Sequence, residues 1–260
     1  MVSYGPEQRV YVPALHADWL TQAFVHWAYP PDQVQRLLPD ELVVDTFDGA
    51  AWVTLTPFVM ADAHPPGSPA ALPAFRETNL RTYVRDRDGR AGLWFLSAEV
   101  SSPVMLAARA VGMPYHLGRL ELTRDGEVLA YTGARRGSGP RYHVTVRTGG
   151  PLRPDRRDVW LTSRWRAFTR QLGMIWETPV EHAPWPLREA HLERAEETLT
   201  RAAGLPPPGT EPLAHFSDGL PKVRLGISHP VRPVHGRPPG AGPPGSRHSR
   251  RHSTRQGGPP

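Results

Sequence analysis

The sequence predicts an antiparallel α+β fold: a closed or nearly closed β-barrel with a few peripheral helices and a disordered C-terminal tail. Three observations predict it. Asp48-Gly49, Asp88-Gly89 and Asp125-Gly126 each separate two runs rich in β-branched and aromatic residues, the pattern of tight hairpins. Helical spacing is confined to a few stretches. Beyond about Pro230 the chain is Pro, Gly, Arg, Ser and His with almost no apolar residue; such a segment buries too little surface to offset its ordering entropy.

The elements follow in order. Pro31–Leu38 reads as a short helix, with Pro31 in the first turn, Asp32 favourable to the dipole and Pro39 as the stop. Leu42–Phe47 turns at Asp48-Gly49 into Ala50–Met60. His64–Pro73 is a Pro/Gly/Ala loop, long enough to be a flap. Phe75–Arg85 and Gly92–Val100 form the second hairpin. Ser101-Ser102-Pro103 starts a helix that runs through Val111 to a stop at Gly112. Leu117–Arg124 and Glu127–Arg135 form the third hairpin, and Arg141–Arg147 is a further strand. In the last third, Leu161, Trp165, Phe168 and Leu172 give Trp160–Leu172 helical spacing, and Leu187–Ala203 reads as an amphipathic helix ending at Gly204. Trp176–Pro184 and Leu220–Ile227 are expected to be extended. Residues 1–228 are thus read as one barrel domain and residues 229–260 as its tail.

Composition narrows the function. The chain has no cysteine, which removes disulfides, thiolate zinc sites and a cysteine nucleophile. No signal peptide or membrane span is evident, so the expectation is a cytoplasmic protein without membrane contact. The net charge of +6 resides in the tail, which holds six arginines and no acid; the rest has 25 basic and 25 acidic residues. A neutral body steers weakly toward phosphate, so no specific nucleic-acid partner is expected. Only one of the 31 basic residues, Lys222, is lysine.

Phosphate loops, G-x-S-x-G elbows and H-E-x-x-H motifs are missing. The 12 histidines lack ligand spacing, so neither a metal nor another cofactor is expected. His26 and His182 read as hydrogen-bonded structural residues. The most informative strand is Phe75–Val84. Alternation puts Phe75, Glu77, Asn79, Arg81 and Tyr83 on one face, and Arg76, Thr78, Leu80, Thr82 and Val84 on the other. Glu77 and Arg81 then stand roughly 13 Å apart. That row is either a polar sheet surface facing solvent or the wall of a cavity able to hold an anionic or hydroxylated ligand. A second candidate is the exit of the Pro103–Val111 helix, where Gly112-Met113-Pro114 presents Tyr115 and His116.

Several of these segments carry a resemblance. His26-Trp27, Leu38-Pro39, Asp45–Trp52, the run Phe75-Arg-Glu77-Thr-Asn79-Leu-Arg81-Thr-Tyr83-Val84, Leu93-Trp94-Phe95, Arg109 with Met113-Pro114-Tyr115, and His182-Ala-Pro-Trp185-Pro resemble the YqjF-like family, domain of unknown function 2071. The resemblance spans roughly residues 14–228. That family is similar in fold to acetoacetate decarboxylase, a β-barrel with a buried cavity. By position, Glu77 matches the glutamate of such decarboxylases. Gly112–His116 matches their lysine segment, with Tyr115 and His116 where the lysines stand. The resemblance therefore implies Glu77, Tyr115 and His116 as catalytic residues, and Asn79, Arg81, Tyr83, Arg109 and Trp52 as ligand-binding residues. Tyrosine and histidine form no iminium, so lysine-dependent decarboxylation is not expected at this segment; Lys222 is the only other amine side chain. The leading reading is a barrel for an anionic or carbonyl-containing metabolite, compatible with a homo-oligomer. The alternative is a non-enzymatic interaction protein that uses the basic tail as its contact.

Overall fold

The computed structural model describes residues 3–68, 70–137 and 139–231, together with Gly258. It contains fourteen strands: β1 Pro13–Tyr29, β2 Val43–Val44, β3 Thr46–Phe47, β4 Ala50–His64, β5 Phe75–Arg85, β6 Ala91–Val100, β7 Tyr115–Asp125, β8 Val128–Arg135, β9 Arg141–Pro151, β10 Arg166–Gln171, β11 Met174–Glu181, β12 Leu187–Glu197, β13 Leu213–Gly226 and β14 His229–Pro230. The helices are short: α1 Pro31–Gln35, a 3-10 helix Pro103–Val111, α2 Arg156–Thr162 and α3 Leu199–Ala202.

The strands form one sheet that closes on itself by two routes. A shared wall runs β6–β5–β4–β1–β13. From β6 to β13 the first route passes through β7, β8, β9 and β12. The second passes through the β10–β11 hairpin. All pairings are antiparallel except β6–β7 and β6–β10. The ring-like closure expected from the repeated hairpins is present, and the three Asp-Gly turns lie where predicted.

Alternation along the shared wall explains its residues. Val25 and Trp27 of β1, Val53 and Leu55 of β4, and Leu80 of β5 join the main core with Leu129, Val144 and Val146. This core fills the compartment closed by β7–β9 and β12. Gln22 of β1, Phe58 and Met60 of β4, and Glu77, Asn79 and Arg81 of β5 face the other compartment, the one closed by β10–β11. A strand covered on both faces leaves almost none of its residues exposed, as seen along β5.

Several expectations are corrected. Trp160–Leu172 is not one helix. Asp155 and Asp158 form a reciprocal capping box, so α2 begins at Arg156 and ends at Thr162. The chain then turns extended to fill the gap beside β6, where Phe168 packs over Gly92; a Cβ there would lie 2.6 Å from the Phe168 ring. Leu187–Ala203 is not a helix either. Arg188, Ala190 and Leu192 are half-buried while Glu189, His191 and Glu193 are exposed, a period of two that β9 and β13 exploit by pairing. Tertiary pairing here overrides helix-forming composition. The Pro103–Val111 helix is of the 3-10 type, and Ser102 makes no side-chain cap. The long strand β1 was not foreseen as an element. The folded body also runs past residue 228, because β14 pairs with β11 and the Val231 amide bonds Ile175 O at 2.8 Å. The remainder of the predicted tail lies outside the described residues, apart from Gly258.

Candidate functional site

The second compartment encloses a cavity of about 460 Å³. Its polar wall is β5. Pairing with β4 and β6 fixes this strand, so Glu77, Asn79 and Arg81 project inward side by side. The polar row therefore does not face solvent, and the solvent alternative is excluded.

Glu77 is only 3% exposed. Both of its carboxylate oxygens accept from the Tyr115 hydroxyl, at 3.1 and 3.0 Å. Burial pushes the carboxyl up to about 7, and the hydrogen bonds from Tyr115 and Asn79 hold it back from rising further. The Tyr115 hydroxyl is pushed well above its ordinary value by burial and by the adjacent Glu77. A buried carboxyl poised near neutrality beside a hydroxyl donor is able to give or take a proton.

Arg81 is 8% exposed. Its guanidinium lies 5.7 Å from the Phe24 ring centroid and beside the Tyr83 hydroxyl. Among the described residues it has no carboxylate partner, and its Nε has no hydrogen-bond acceptor. The other cavity arginines are compensated. Arg164 reaches Asp45 at 3.2 Å and lies over the Tyr83 and Trp160 rings. Arg166 reaches Glu177 at 3.1 Å and Glu7 at 2.6 Å. The cavity also carries unpartnered buried polar atoms at Trp19 Nε1, Gln22 Oε1 and Asn79 Oδ1.

His182 lies among Trp19, Trp165 and Trp185. Its Nδ1–H donates to Ala183 O at 2.6 Å, and burial lowers the ring to about 4, so it is neutral.

The structure thus brings together four of the predicted site residues: Glu77, Asn79, Arg81 and Tyr115. Four others do not line the cavity. His116 follows Tyr115 on β7 and points the other way, beside the Glu99–Arg135 pair. Arg109 is exposed and uses its Nε to hold Tyr115 O at 2.6 Å. Tyr83 lies behind Arg81, donates to Leu161 O and bonds Thr54. Trp52 packs with Tyr83 and Trp160 in a small core. Sequence reasoning missed Gln22, Trp19 and Arg164 as cavity residues, and His215 and Asp158 in the polar chain behind it. These residues come from β1, β13, α2 and the turn after α2, and share no local spacing that would have marked them. Lys222, the one lysine, is exposed in an irregular stretch of β13 and lies outside the cavity lining.

Residues 16–221 match the model of DUF2071, described as an uncharacterized conserved protein. The chain belongs to the DUF2071 family. A curated relative, the uncharacterized protein YqjF of Bacillus subtilis (strain 168), is 30% identical over 212 residues, covering 78% of this chain and 87% of that protein. Among solved structures, an acetoacetate decarboxylase-like enzyme from Sphingomonas wittichii RW1 is similar with a TM-score of 0.60 at 19% identity, covering 84% of this chain and 93% of the other. The enduracididine biosynthesis enzyme MppR, with HEPES buffer bound, gives 0.59 at 16% identity, covering 85% and 90%. This DUF2071 chain therefore has the acetoacetate decarboxylase-like fold. Among the described residues no helix is long and apolar enough to cross a membrane, and no cluster of three metal-ligating side chains occurs.

Proposed function

We propose that this protein binds, and acts on, a small anionic or carbonyl-containing metabolite in the β5 cavity without a Schiff-base lysine. Arg81 supports the reading most directly. A buried cation without a counter-ion is costly, and a ligand anion on its guanidinium removes that penalty. Glu77 and Tyr115 form the reactive end. With Glu77 protonated, the pair polarises a carbonyl; with Glu77 ionised, it takes a proton from the carbon beside it. The chemistry open to such a pair is enolisation, hydration or dehydration, since an imine electron sink needs an amine that the cavity lacks.

The test is calorimetric titration of a panel of small carboxylates and keto acids against the wild type and Arg81→Gln. Binding should weaken about tenfold or more in the variant. The empty variant should melt no lower than wild type, because the change removes an uncompensated buried charge. Equal binding by both proteins overturns the assignment of the anion to Arg81. Solvent deuterium exchange into the bound keto acid, lost in Glu77→Gln, tests the chemical role.

A further inference from the structure

Beside its polar groups the cavity has an apolar lining of hydrocarbon and sulfur: Phe58 and Met60 from β4, next to Glu77 on the shared wall, Met105 from the 3-10 helix, Met113 from the loop behind it, Trp176 from β11, and Trp185. Three of the chain's five methionines stand here. Methionine adapts its shape and contacts aromatic rings favourably through sulfur. A wall of this kind offers water few of the two to four polar partners it needs. It is suited to an apolar body.

Charge and size limit the ligand further. Arg164 and Arg166 pair with Asp45, Glu177 and Glu7, so among the described residues Arg81 is the one lining arginine without a carboxylate partner. That suits a monoanion better than a phosphate carrying two charges. At the roughly 30 Å³ that a water molecule occupies, a cavity of about 460 Å³ has room for about 15 non-hydrogen atoms. A small keto acid would satisfy Arg81 and leave most of the apolar surface uncovered.

Resting on the anion-binding reading above, we infer that the ligand is a monocarboxylic acid with a bulky aryl-bearing body of roughly ten to fifteen non-hydrogen atoms. Its carboxylate pairs with Arg81. Its body lies against Met60, Met105, Met113 and Phe58, under the 3-10 helix.

The experiment titrates the full chain with naphthylacetate, butyrate, naphthylacetamide and naphthyl phosphate. Naphthylacetate should bind at least about tenfold more tightly than each of the other three. Met105→Glu, at a half-buried position on the covering helix, should weaken naphthylacetate by about tenfold or more and butyrate by less. If butyrate matches naphthylacetate and both are lost in Arg81→Gln, this inference fails while the anion-binding reading stands. If naphthyl phosphate binds more tightly than the carboxylate, the monoanion is wrong. If the amide binds as well as the acid, and Arg81→Gln changes neither, both readings fail. No effect of Met105→Glu on naphthylacetate overturns the placement of the body. Arg81→Met, a second uncharged variant, guards against misfolding of the first.

Discussion

His26 Nε2 lies 3.1 Å from His215 Nδ1 in the middle of a buried polar chain behind the cavity. His215 Nε2 reaches Asp158 at 3.0 Å, His26 Nδ1 reaches Thr54 at 2.8 Å, Thr54 reaches Tyr83 at 2.7 Å, and Tyr83 donates to Leu161 O at 2.7 Å. The five contacts need five protons. Two neutral rings and two hydroxyls supply four. Burial, with His215, Arg81 and Arg157 nearby, holds the His26 ring well below its ordinary value. The fifth proton therefore lies in the His215–Asp158 contact, and that hydrogen bond holds the Asp158 carboxyl low. Nitrogen-15 ring shifts near neutral pH should show one of these histidines protonated on both nitrogens. Two neutral rings would disprove the count.

Glu77 makes stability depend on pH in a definite direction. Its folded value, about 7, stands above the ordinary 4.5. Between those limits the folded state keeps a proton that the unfolded chain releases, so stability falls as pH rises through this window, by about 3 kcal/mol in all. His182 acts oppositely: its value of about 4 lies below the ordinary 6.5, so stability is lost as pH falls through that window. Urea unfolding at about pH 5 and about pH 8 should show Glu77→Gln gaining stability relative to wild type as pH rises, because the opposed His182 contribution remains in both proteins.

Gly112 closes the 3-10 helix with φ +83°, and a Cβ there would lie 2.6 Å from Arg170 O. Gly137 has the same φ with open space around it. Gly112→Ala should destabilise by about 2 kcal/mol or more, and Gly137→Ala by only about 1 kcal/mol. Equal losses would show that close approach to β10 contributes nothing.

Asp45 holds two arginines, Arg164 at 3.2 Å and Arg85 at 2.8 Å. Asp45→Asn leaves Arg164 buried without its counter-ion and should cost about 3–5 kcal/mol. Adding Arg164→Met should recover part of that loss, because the stranded charge is then gone. Thermal melts of the single and double variants decide it.

The parts legible in the sequence are those written locally. Asp48-Gly49 and Asp125-Gly126 specify hairpins whatever surrounds them, and the alternation of Glu77, Asn79 and Arg81 put them correctly on one face. Whether that face met water was not legible, because the answer depends on the β10–β11 hairpin, far along the chain. β12 shows the limit from the other side. Its Leu, Arg, Glu and Ala satisfy a helix and a strand alike, and only the free edges of β9 and β13 select the strand. His26 and His215 lie 189 positions apart, so no spacing rule could have joined them.

The pairing of β1 with β13 also bears on how the protein is made. Pro13 meets Gly226 and His26 meets Leu213, so β1 waits for a strand made long after it. Contacts of such sequence separation fold slowly. Until β13 emerges, Phe24 and Val25 belong to an unpaired edge, open to strand exchange between nascent chains. Completion of the cavity therefore waits on β13, and chaperone demand in the cell should track the delay between synthesis of β1 and of β13.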